Sequence, residues 1–358
     1  SSTGIYNWDI ITAASLTSFQ ADMFTIDSSN FGIASGNLTG TWTFSNPTAG
    51  NIRLTYSGAT GNSTWNTTTG SWNTAAQWSE NAIPVNNNSL IFNGAGGTST
   101  NNIGNSTLTT VNNITFASGA GAYTLAASAG SAGASGGTAL TVNGDIVNNS
   151  TNLQTINTAL SLGSSTTVNS ASGNITLGGV VSGAGSLLKS GSNALTLSGS
   201  NTYSGGTTLS AGQLNINNAT ALGNGTFTIS GGTIDNTSGS AITLSNNNAQ
   251  TWAGNFTFAG TSDLNLGTGN VTLSVTPTIT ATAGNLTVGG IISGSALGVT
   301  KNGSGTMILT GANTYTGTTT INAGTLQIGN NGTTGSLAST TIVNNANLVY
   351  NLVSDGST

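Results

Sequence analysis

The chain has 358 residues and a formal net charge of −5, yet only 3% of its residues are charged, against about a quarter in ordinary globular proteins. Its three basic residues, Arg53, Lys189 and Lys301, cannot build a cationic surface, so neither nucleic acid nor an anionic membrane is expected as a partner. Cys and His are absent, which removes disulfides, thiolate nucleophiles, imidazole bases and the common zinc sites. No apolar run approaches the roughly 20 residues that span a bilayer. We therefore expect a protein that is not an enzyme, needs no cofactor and does not insert into a membrane.

Residues 1–62 differ in pattern from the rest of the chain. They contain longer and more aromatic strand candidates, IYNWDII, ADMFTID, GTWTFS and NIRLTYS, and much of the acidic charge, including Asp9, Asp22 and Asp27. This pattern predicts a small N-terminal β unit or the end of a preceding solenoid. Asp22 and Asp27 are weak candidates for calcium, because no D-x-D cluster accompanies them; we predict no metal site elsewhere.

A second aromatic segment spans residues 64–93 and carries Trp65, Trp72 and Trp78. These rings could cap the apolar end of a stack of strands, which is the interpretation we favour. The alternative is that they contact a ligand by stacking on sugar rings. The Ala, Gly and Ser-rich stretch 117–138 that follows predicts a surface loop.

From about residue 100 the chain alternates short β-branched segments with Gly, Asn and Ser turns, as in VNNITFA (111–117) and NITLGGVV (174–181). Alternation with period two predicts strands with one buried side, and no helical period is sustained. The Gly-Gly pairs that begin at Gly178, Gly205, Gly231 and Gly289 would allow a positive φ at corners between strands. The fold class is therefore all-β.

An internal repeat indicates the architecture. The segment that starts at Asn174 recurs at Asn285, aligning Lys189 with Lys301 and Tyr203 with Tyr315. Each copy divides into units of about 20 residues, the size of one coil of a β-solenoid, which must stack on its neighbours to bury its apolar side. We predict a β-solenoid over residues 63–358, with copies of the repeat at 174–284 and 285–358. Because Lys189, Lys301, Tyr203 and Tyr315 occupy equivalent positions, we assign them structural roles.

The residues 303–337, GSGTMILTGANTYTGTTTINAGTLQIGNNGTTGSL, resemble the passenger-associated transport repeat, also called the autotransporter-associated β-strand repeat. A weaker copy is ALTLSGSNTYSGGTTLSAGQLNI, which begins at Ala194. The resemblance extends over roughly residues 64–350. It implies a right-handed parallel β-helix (β-solenoid) that a bacterium exports to its surface or to the extracellular space.

Three functions are compatible with these observations. The leading expectation is a stiff structural rod that binds itself head to tail in a surface filament, because the C-terminal repeat stops before its coil is complete and its open edge could accept a strand. The alternative is a monomeric passenger adhesin that binds a surface or a glycan. A polysaccharide lyase or hydrolase ranks third, because it requires paired carboxylates and only Asp235 and Asp263 merit inspection as a pair.

Overall fold

The computed structural model describes residues 5–12, 41–45, 51–57, 61–103, 108–134 and 138–353. At the N-terminal end lie β1 (Ile5–Thr12), β2 (Thr41–Ser45) and β3 (Asn51–Ser57), which form a three-stranded antiparallel sheet in the order β1-β3-β2. That residues 1–62 form a separate β unit stays a prediction. The calcium candidates Asp22 and Asp27 lie outside the described residues.

From Asn62 onward the named strands pair in parallel and stack coil upon coil, so the prediction of an all-β solenoid is confirmed. Each coil crosses up to three faces, which we call faces 1, 2 and 3 in the order in which the chain meets them. Face 2 contains β4 (Asn62–Trp65), β6 (Asn88–Phe92), β8 (Thr110–Phe116), β11 (Ile146–Asn148), β14 (Thr166–Asn169), β17 (Leu187–Ser190), β19 (Thr207–Leu209), β21 (Phe227–Ile229), β24 (Gln250–Trp252), β27 (Val271–Leu273), β30 (Ile292–Ser293), β33 (Ala312–Asn313) and β36 (Ser336–Leu337).

Face 3 is one continuous 13-stranded sheet. Its members are β5 (Gly70–Ser71), β7 (Gly96–Asn101), β9 (Ala122–Ala127), β12 (Gln154–Ile156), β15 (Ile175–Leu177), β18 (Ala194–Leu197), β20 (Gln213–Ile216), β22 (Thr233–Asp235), β25 (Phe256–Phe258), β28 (Thr278–Ala281), β31 (Val299–Asn302), β34 (Thr319–Ile321) and β37 (Ile342–Asn344). At about 4.8 Å per coil, this sheet makes a rod roughly 60 Å long.

Face 1 is less regular. It contains β10 (Leu140–Val142), β13 (Leu160–Leu162) and β16 (Val181–Gly183), then, after two coils without a named strand, β23 (Ile242–Thr243), β26 (Leu264–Asn265), β29 (Asn285–Val288), β32 (Thr306–Leu309), β35 (Thr325–Gly332) and β38 (Asn347–Leu352). The long strand β8 connects faces 1 and 2, because it pairs with β10 through Thr110 and Val111 and with β11 through residues 114–116. A short 3-10 helix, Ala75–Gln77, is the helical element of the described residues, and no helix there is long and apolar enough to cross a bilayer.

The solenoid core follows from the alternation in the sequence. In β10, for example, Leu140 and Val142 are buried while Thr141 between them faces outward. The same pattern in successive coils places apolar side chains in one continuous core. Full burial of such a side chain is worth about 1.5–3 kcal/mol, so each coil depends on the next one for its stability.

The expected loop at 117–138 is partly wrong. Residues 122–127 form β9, with Tyr123 and Leu125 buried in the core. The small residues around them obscured a short alternating pattern, since only Tyr123 and Leu125 mark the inward side of the strand. Residues 135–137 lie outside the described part of the chain.

The Gly-Gly pairs serve two different purposes. Gly206 has a φ of +91°, as expected for a corner that disfavours other residues. Gly290 does not require a positive φ; a Cβ there would collide with the carbonyl group of Gly269 in the preceding coil. Glycine is therefore needed at that corner for the close approach of two coils.

The two copies of the internal repeat lie on different faces. In the first copy β17 lies on face 2 and β18 on face 3, whereas their equivalents β31 and β32 lie on faces 3 and 1. Equivalent residues are thus displaced by one face around the rod as well as along it. The repeat does not form a row of identical features on one side of the molecule.

Candidate functional site

The three tryptophans of the first coil lie inside the solenoid. Trp65, Trp72 and Trp78 are 0%, 0% and 2% exposed. The ring of Trp78 packs edge-on against both others, with centroid distances of 5.0 Å to Trp65 and 6.0 Å to Trp72. Phe92 of the next coil packs against Trp72 at 6.3 Å. No ring face of these three residues is available for stacking on a sugar.

The segment that carries Trp78 also covers the edge of β4. The backbone N–H of Ser79 donates to the carbonyl oxygen of Thr64 at 2.8 Å, and the Thr64 N–H donates to the Glu80 carboxylate at 2.9 Å. An exposed strand edge is a template for pairing with other chains. Residues 78–80 occupy this edge from within the chain. That the tryptophans cap the solenoid stays a prediction.

Lys189 points into the core from β17 and is fully buried. Its Nζ donates to the carbonyl oxygens of Ser190 at 2.6 Å, Gly191 at 2.9 Å and Ala211 at 3.1 Å. Ser190 ends β17 and Gly191 lies in the turn that follows it, whereas Ala211 belongs to the turn of the next coil. The ammonium group therefore joins two successive corners.

Lys301 repeats this arrangement one face further around the rod. Its Nζ donates to the carbonyl oxygens of Asn302 at 2.9 Å, Gly303 at 2.9 Å and Ala323 at 3.1 Å. Burial lowers the pKa of Lys189 and of Lys301 to about 8 in each case, because removal from water penalises the charged form. Neither ammonium group is presented to a ligand at the surface.

Tyr203 and Tyr315 are also fully buried. The hydroxyl group of Tyr203 lies 2.5 Å from that of Thr207, and Tyr315 lies 2.8 Å from Thr319. Thr207 also donates to the carbonyl oxygen of Leu222 at 3.1 Å and Tyr203 to that of Ala221 at 3.5 Å, so either hydroxyl group can be the donor in their pair. Burial raises the pKa of both phenols, which keeps them neutral at physiological pH.

Asn201 and Asn313 are structural residues that sequence reasoning missed. The Asn201 side chain accepts from the Val181 N–H at 2.8 Å and donates to the Ala221 carbonyl oxygen at 2.7 Å, so it connects the coils on either side of its own. Asn313 accepts from the Ile292 N–H at 2.9 Å and donates to Ser336 in the same way. Both are buried. The available signal was the N-T-Y triplet present in both copies.

Asp235 and Asp263 each hold backbone together. Buried Asp235 accepts from the N–H of Asn236 at 2.9 Å, and from the N–H and hydroxyl groups of Thr261 at 3.0 and 2.6 Å. Asp263 accepts from the N–H and side-chain amide of Asn285, both at 2.8 Å. Both carboxylates therefore serve as acceptors that join backbone segments of the fold.

The outer side of the solenoid is consequently polar but almost uncharged. Among the described solenoid residues, three acids reach solvent, Glu80, Asp145 and Asp263, each binding a backbone N–H. No group of three or more metal-ligating side chains comes together within the described part of the chain. The lateral faces consist mainly of Thr, Ser and Asn side chains, with exposed aliphatic side chains at Leu153, Val180, Val275 and Ile291.

Comparison with known proteins identifies the class to which this architecture corresponds. The family model described as passenger-associated-transport-repeat matches residues 187–216 and 299–328. These ranges include Lys189 and Lys301, both tyrosines and both buried asparagines. The chain therefore carries two passenger-associated transport repeats, as the sequence resemblance predicted.

Among curated proteins, the chain is similar to the adhesin BmaC autotransporter of Brucella suis biovar 1 (strain 1330), with 49% identity over 71 residues. The match covers 19% of this chain and 2% of that protein's length. No solved structure matches the chain. The repeats and this relative are those of a bacterial cell-surface or extracellular protein, the location that we expected for this chain.

Proposed function

We propose that the chain is a passenger-type β-solenoid module that mediates adhesion at the bacterial surface through its lateral faces. The observation that carries the proposal is the distribution of chemistry in the solenoid. Its lysines, its tryptophans and its tyrosines other than Tyr350 are buried, which leaves mainly hydroxyl and amide groups outside, with a few aliphatic side chains such as Leu153 and Val180. The local similarity to an autotransporter adhesin supports this choice over a purely structural role.

An uncharged surface of this kind binds through many weak hydrogen bonds. Each hydrogen bond contributes only about 0.5–1.5 kcal/mol net, so a strong attachment requires many of them along a rigid rod. Screening by salt affects interactions between charges, and this surface has few of them. Adhesion should therefore persist at high ionic strength.

The experiment is to coat inert beads with the purified chain and to count beads retained under flow on polysaccharide, mucin and host-cell layers. We expect retention on at least one layer, unchanged between low salt and about 1 M NaCl. Beads coated with an unrelated β-solenoid of higher surface charge are the control. Loss of retention with salt, or no retention on any layer, would contradict the proposal.

Catalysis is not part of the proposed function. Glycoside hydrolysis requires two carboxyl groups at about 5–9.5 Å across a cleft, and Asp235 and Asp263 are both engaged by donors from the fold. Incubation with neutral and acidic polysaccharides should release no reducing ends and no unsaturated sugars. If sugars were released and the variant Asp235→Asn abolished their release, the proposal that the chain is not catalytic would be wrong.

Self-assembly is a second candidate function, and one observation favours it. The last described coil exposes apolar side chains on β37 and β38, among them Val343 at 40%, Val349 at 40% and Tyr350 at 59%. A second copy could cover them by strand addition, whereas the edge of β4 is already occupied by residues 78–80. Assembly thus requires the last coil to meet a surface other than β4.

Electron microscopy and sedimentation at rising concentration test the assembly proposal. A filament should show uniform fibres that the variant Tyr350→Asp disrupts, because a buried unpaired charge is costly at an interface. The monomeric adhesin should instead give single rods of constant sedimentation coefficient. Fibres unaffected by Tyr350→Asp would argue against the last coil as the contact.

A further inference from the structure

The corner that follows β31 contains an Asn-Gly pair, Asn302 and Gly303, next to the buried ammonium group of Lys301. In such a pair the backbone nitrogen of the glycine can attack the side-chain carbonyl carbon of the asparagine, because glycine has no Cβ that obstructs the approach. The surroundings of each pair help or hinder this attack. The chain contains five Asn-Gly pairs, which begin at Asn93, Asn143, Asn224, Asn302 and Asn331.

The Lys301 ammonium group contacts the peptide group that contains the attacking nitrogen. Its Nζ donates to the carbonyl oxygen of Asn302 at 2.9 Å, and this oxygen belongs to the peptide bond that Asn302 makes with the nitrogen of Gly303. When that nitrogen loses its proton, the negative charge lies largely on the same oxygen. A charge-assisted hydrogen bond stabilises an oxygen on which negative charge develops. The ammonium group therefore favours the deprotonated, nucleophilic form of the Gly303 nitrogen.

The side chain of Asn302 is activated at its carbonyl group. Its Oδ1 accepts a hydrogen bond from the side-chain amide of Asn322 at 3.0 Å, which stabilises the negative charge that the attack would place on this oxygen. Within the described part of the chain, neither the Nδ2 of Asn302 nor the backbone N–H of Gly303 donates a hydrogen bond. Asn302 is also partly exposed, so water reaches it. The attacking nitrogen and the leaving nitrogen are thus both free of other contacts.

Two of the other Asn-Gly pairs lack this combination. The glycine of the Asn143 pair donates its N–H to the carbonyl oxygen of Asn112 at 2.7 Å, so its nitrogen is engaged in the fold. At Asn224 the Nδ2 donates to the carbonyl oxygen of Thr202 at 3.0 Å, so the leaving nitrogen is engaged instead. The ammonium groups of the two solenoid lysines bind other carbonyl oxygens than those of these pairs.

The first copy of the repeat has the ammonium group without the amide. The Nζ of Lys189 donates to the carbonyl oxygens of Ser190 at 2.6 Å and Gly191 at 2.9 Å, as its counterpart does in the second copy. Ser190 has no side-chain amide, so the attack cannot take place there. The two copies therefore differ at the one side chain that the reaction requires.

We propose that Asn302 is a self-modification site, at which the nitrogen of Gly303 attacks Cγ of Asn302 and forms a succinimide with loss of ammonia. The bond between the Gly303 nitrogen and Cγ forms, the bond between Cγ and Nδ2 breaks, and the proton of the Gly303 N–H leaves with the ammonia. Water then adds to one of the two ring carbonyl groups and opens the ring. The product is an aspartyl or an isoaspartyl residue at position 302, and no oxidant or reductant takes part.

The reaction adds a negative charge to a rod that has very few charges. The Lys301 ammonium group, which contacts neutral carbonyl oxygens in the unmodified chain, gains an anionic neighbour. An isoaspartyl product also adds one methylene group to the backbone of this corner. The inference does not depend on the proposed adhesive function, because the reaction needs only the chain and water.

The test uses the full chain, incubated in the folded state at neutral pH in isotope-labelled water and then digested in unlabelled water at acidic pH. Mass spectrometry of the separated peptides distinguishes asparaginyl, aspartyl and isoaspartyl forms, and the label identifies conversion that took place during the incubation. The variant is Lys301→Met, which removes the ammonium group and keeps most of the side-chain volume. Lys189→Met is the matched control, and a parallel incubation in urea removes the contacts of the fold.

A second variant keeps both lysines, in case Lys301→Met loosens its corner. Ser190→Asn introduces an Asn-Gly pair beside the Lys189 ammonium group, at a position where the second copy already has asparagine. Conversion at position 190 should then be faster than at Asn143 and Asn224 in the same molecule. This comparison leaves the buried contacts of both ammonium groups unchanged.

We expect the folded wild-type chain to convert at position 302 about tenfold faster than at Asn143 or Asn224, as one hydrogen bond to a charged group implies. Lys301→Met should remove most of that difference, Lys189→Met should leave it unchanged, and in urea the three sites should convert at similar rates. A rate at position 302 no greater than at Asn143 and Asn224 in the folded chain overturns the proposal. Fast conversion that persists in Lys301→Met while position 190 of Ser190→Asn stays slow overturns it as well, because the ammonium group would then have no part in the reaction.

Discussion

The two transport repeats, at 187–216 and 299–328, have the same local contacts in different places. In both copies a buried lysine binds three turn carbonyls and a buried tyrosine meets a threonine. Yet every strand of the second copy lies one face further around the rod. The difference indicates that the contacts of the repeat stabilise the stacking of neighbouring coils. They do not require the repeat to face a partner in one fixed orientation.

The copies also differ in how their tyrosines are covered. In the first copy the following turn places Leu222 fully in the core, and Thr207 donates to its carbonyl oxygen. In the second copy the equivalent turn is longer, Leu337 is only partly buried, and Thr319 makes its side-chain hydrogen bond with Tyr315. Equivalent residues should therefore respond differently when the contact between coils is removed.

The largest effect is expected for truncation of the tyrosines. Tyr203→Ala should lower the free energy of unfolding by about 3–5 kcal/mol, because it removes a fully buried ring and leaves a cavity. Tyr315→Ala should fall at the lower end of that range, since the partly exposed Leu337 lets solvent or neighbouring side chains fill the space. Urea unfolding followed by circular dichroism measures both.

The face 3 residue Thr176, replaced by Val, is the control for Tyr203→Ala and Tyr315→Ala, because its half-buried side chain faces outward. It should change the free energy of unfolding by less than about 0.5 kcal/mol. If Tyr315→Ala proved the more damaging of the two, the difference in coverage between the copies would not govern their stability.

Much of the fold could be predicted from the sequence because it depends on local patterns of side chains. Period-two alternation fixes which side chains of β10 or β15 turn inward, and the match of Lys189 with Lys301 reveals equivalent coils. The shift by one face could not be predicted in this way. It depends on how many corners separate the copies, and an alternating strand looks the same after a slip of two residues.

The candidate site could be predicted from the sequence less well than the fold could. The tryptophans stood out by composition, but only the three-dimensional arrangement shows Trp65, Trp72 and Trp78 packed together under the edge segment.

The next effect in size is a dependence of stability on pH that both copies should share equally. Burial lowers the pKa of Lys189 and Lys301 to about 8, whereas a lysine in the unfolded chain titrates near 10.4. Between these values the unfolded chain binds more protons than the folded chain, so the free energy of unfolding should rise as pH increases from about 8 to 10. Above about pH 10 it should fall, because the raised pKa values of Tyr203 and Tyr315 leave only the unfolded phenols ionised.

Urea midpoints at intervals across this range measure the rise. Lys189→Met and Lys301→Met keep most of the side-chain volume but cannot titrate, so each should remove about half of the rise and the double variant nearly all of it. A wild-type profile that is flat from pH 8 to 10 would mean that the three carbonyl oxygens hold each proton as firmly as water does. Unequal losses in the two single variants would show that the copies are not equivalent at their lysines.

The smallest effect distinguishes the copies by a single hydroxyl group. In Tyr203→Phe, Thr207 keeps its hydrogen bond to the Leu222 carbonyl oxygen, so the cost should be about 0.5–1 kcal/mol, that of one ordinary hydrogen bond. In Tyr315→Phe, the buried hydroxyl group of Thr319 loses the phenol and has no second side-chain partner in the described structure, so the cost should be about 1–2 kcal/mol.

Adding Thr319→Val to Tyr315→Phe removes that unsatisfied group and should restore part of the stability, whereas Thr207→Val in Tyr203→Phe should lower it further. Among the alanine variants the loss of unfolding free energy should be larger at Tyr203, because its ring is better covered. Among the phenylalanine variants it should be larger at Tyr315, because Thr319 depends more on the phenol hydroxyl group than Thr207 does.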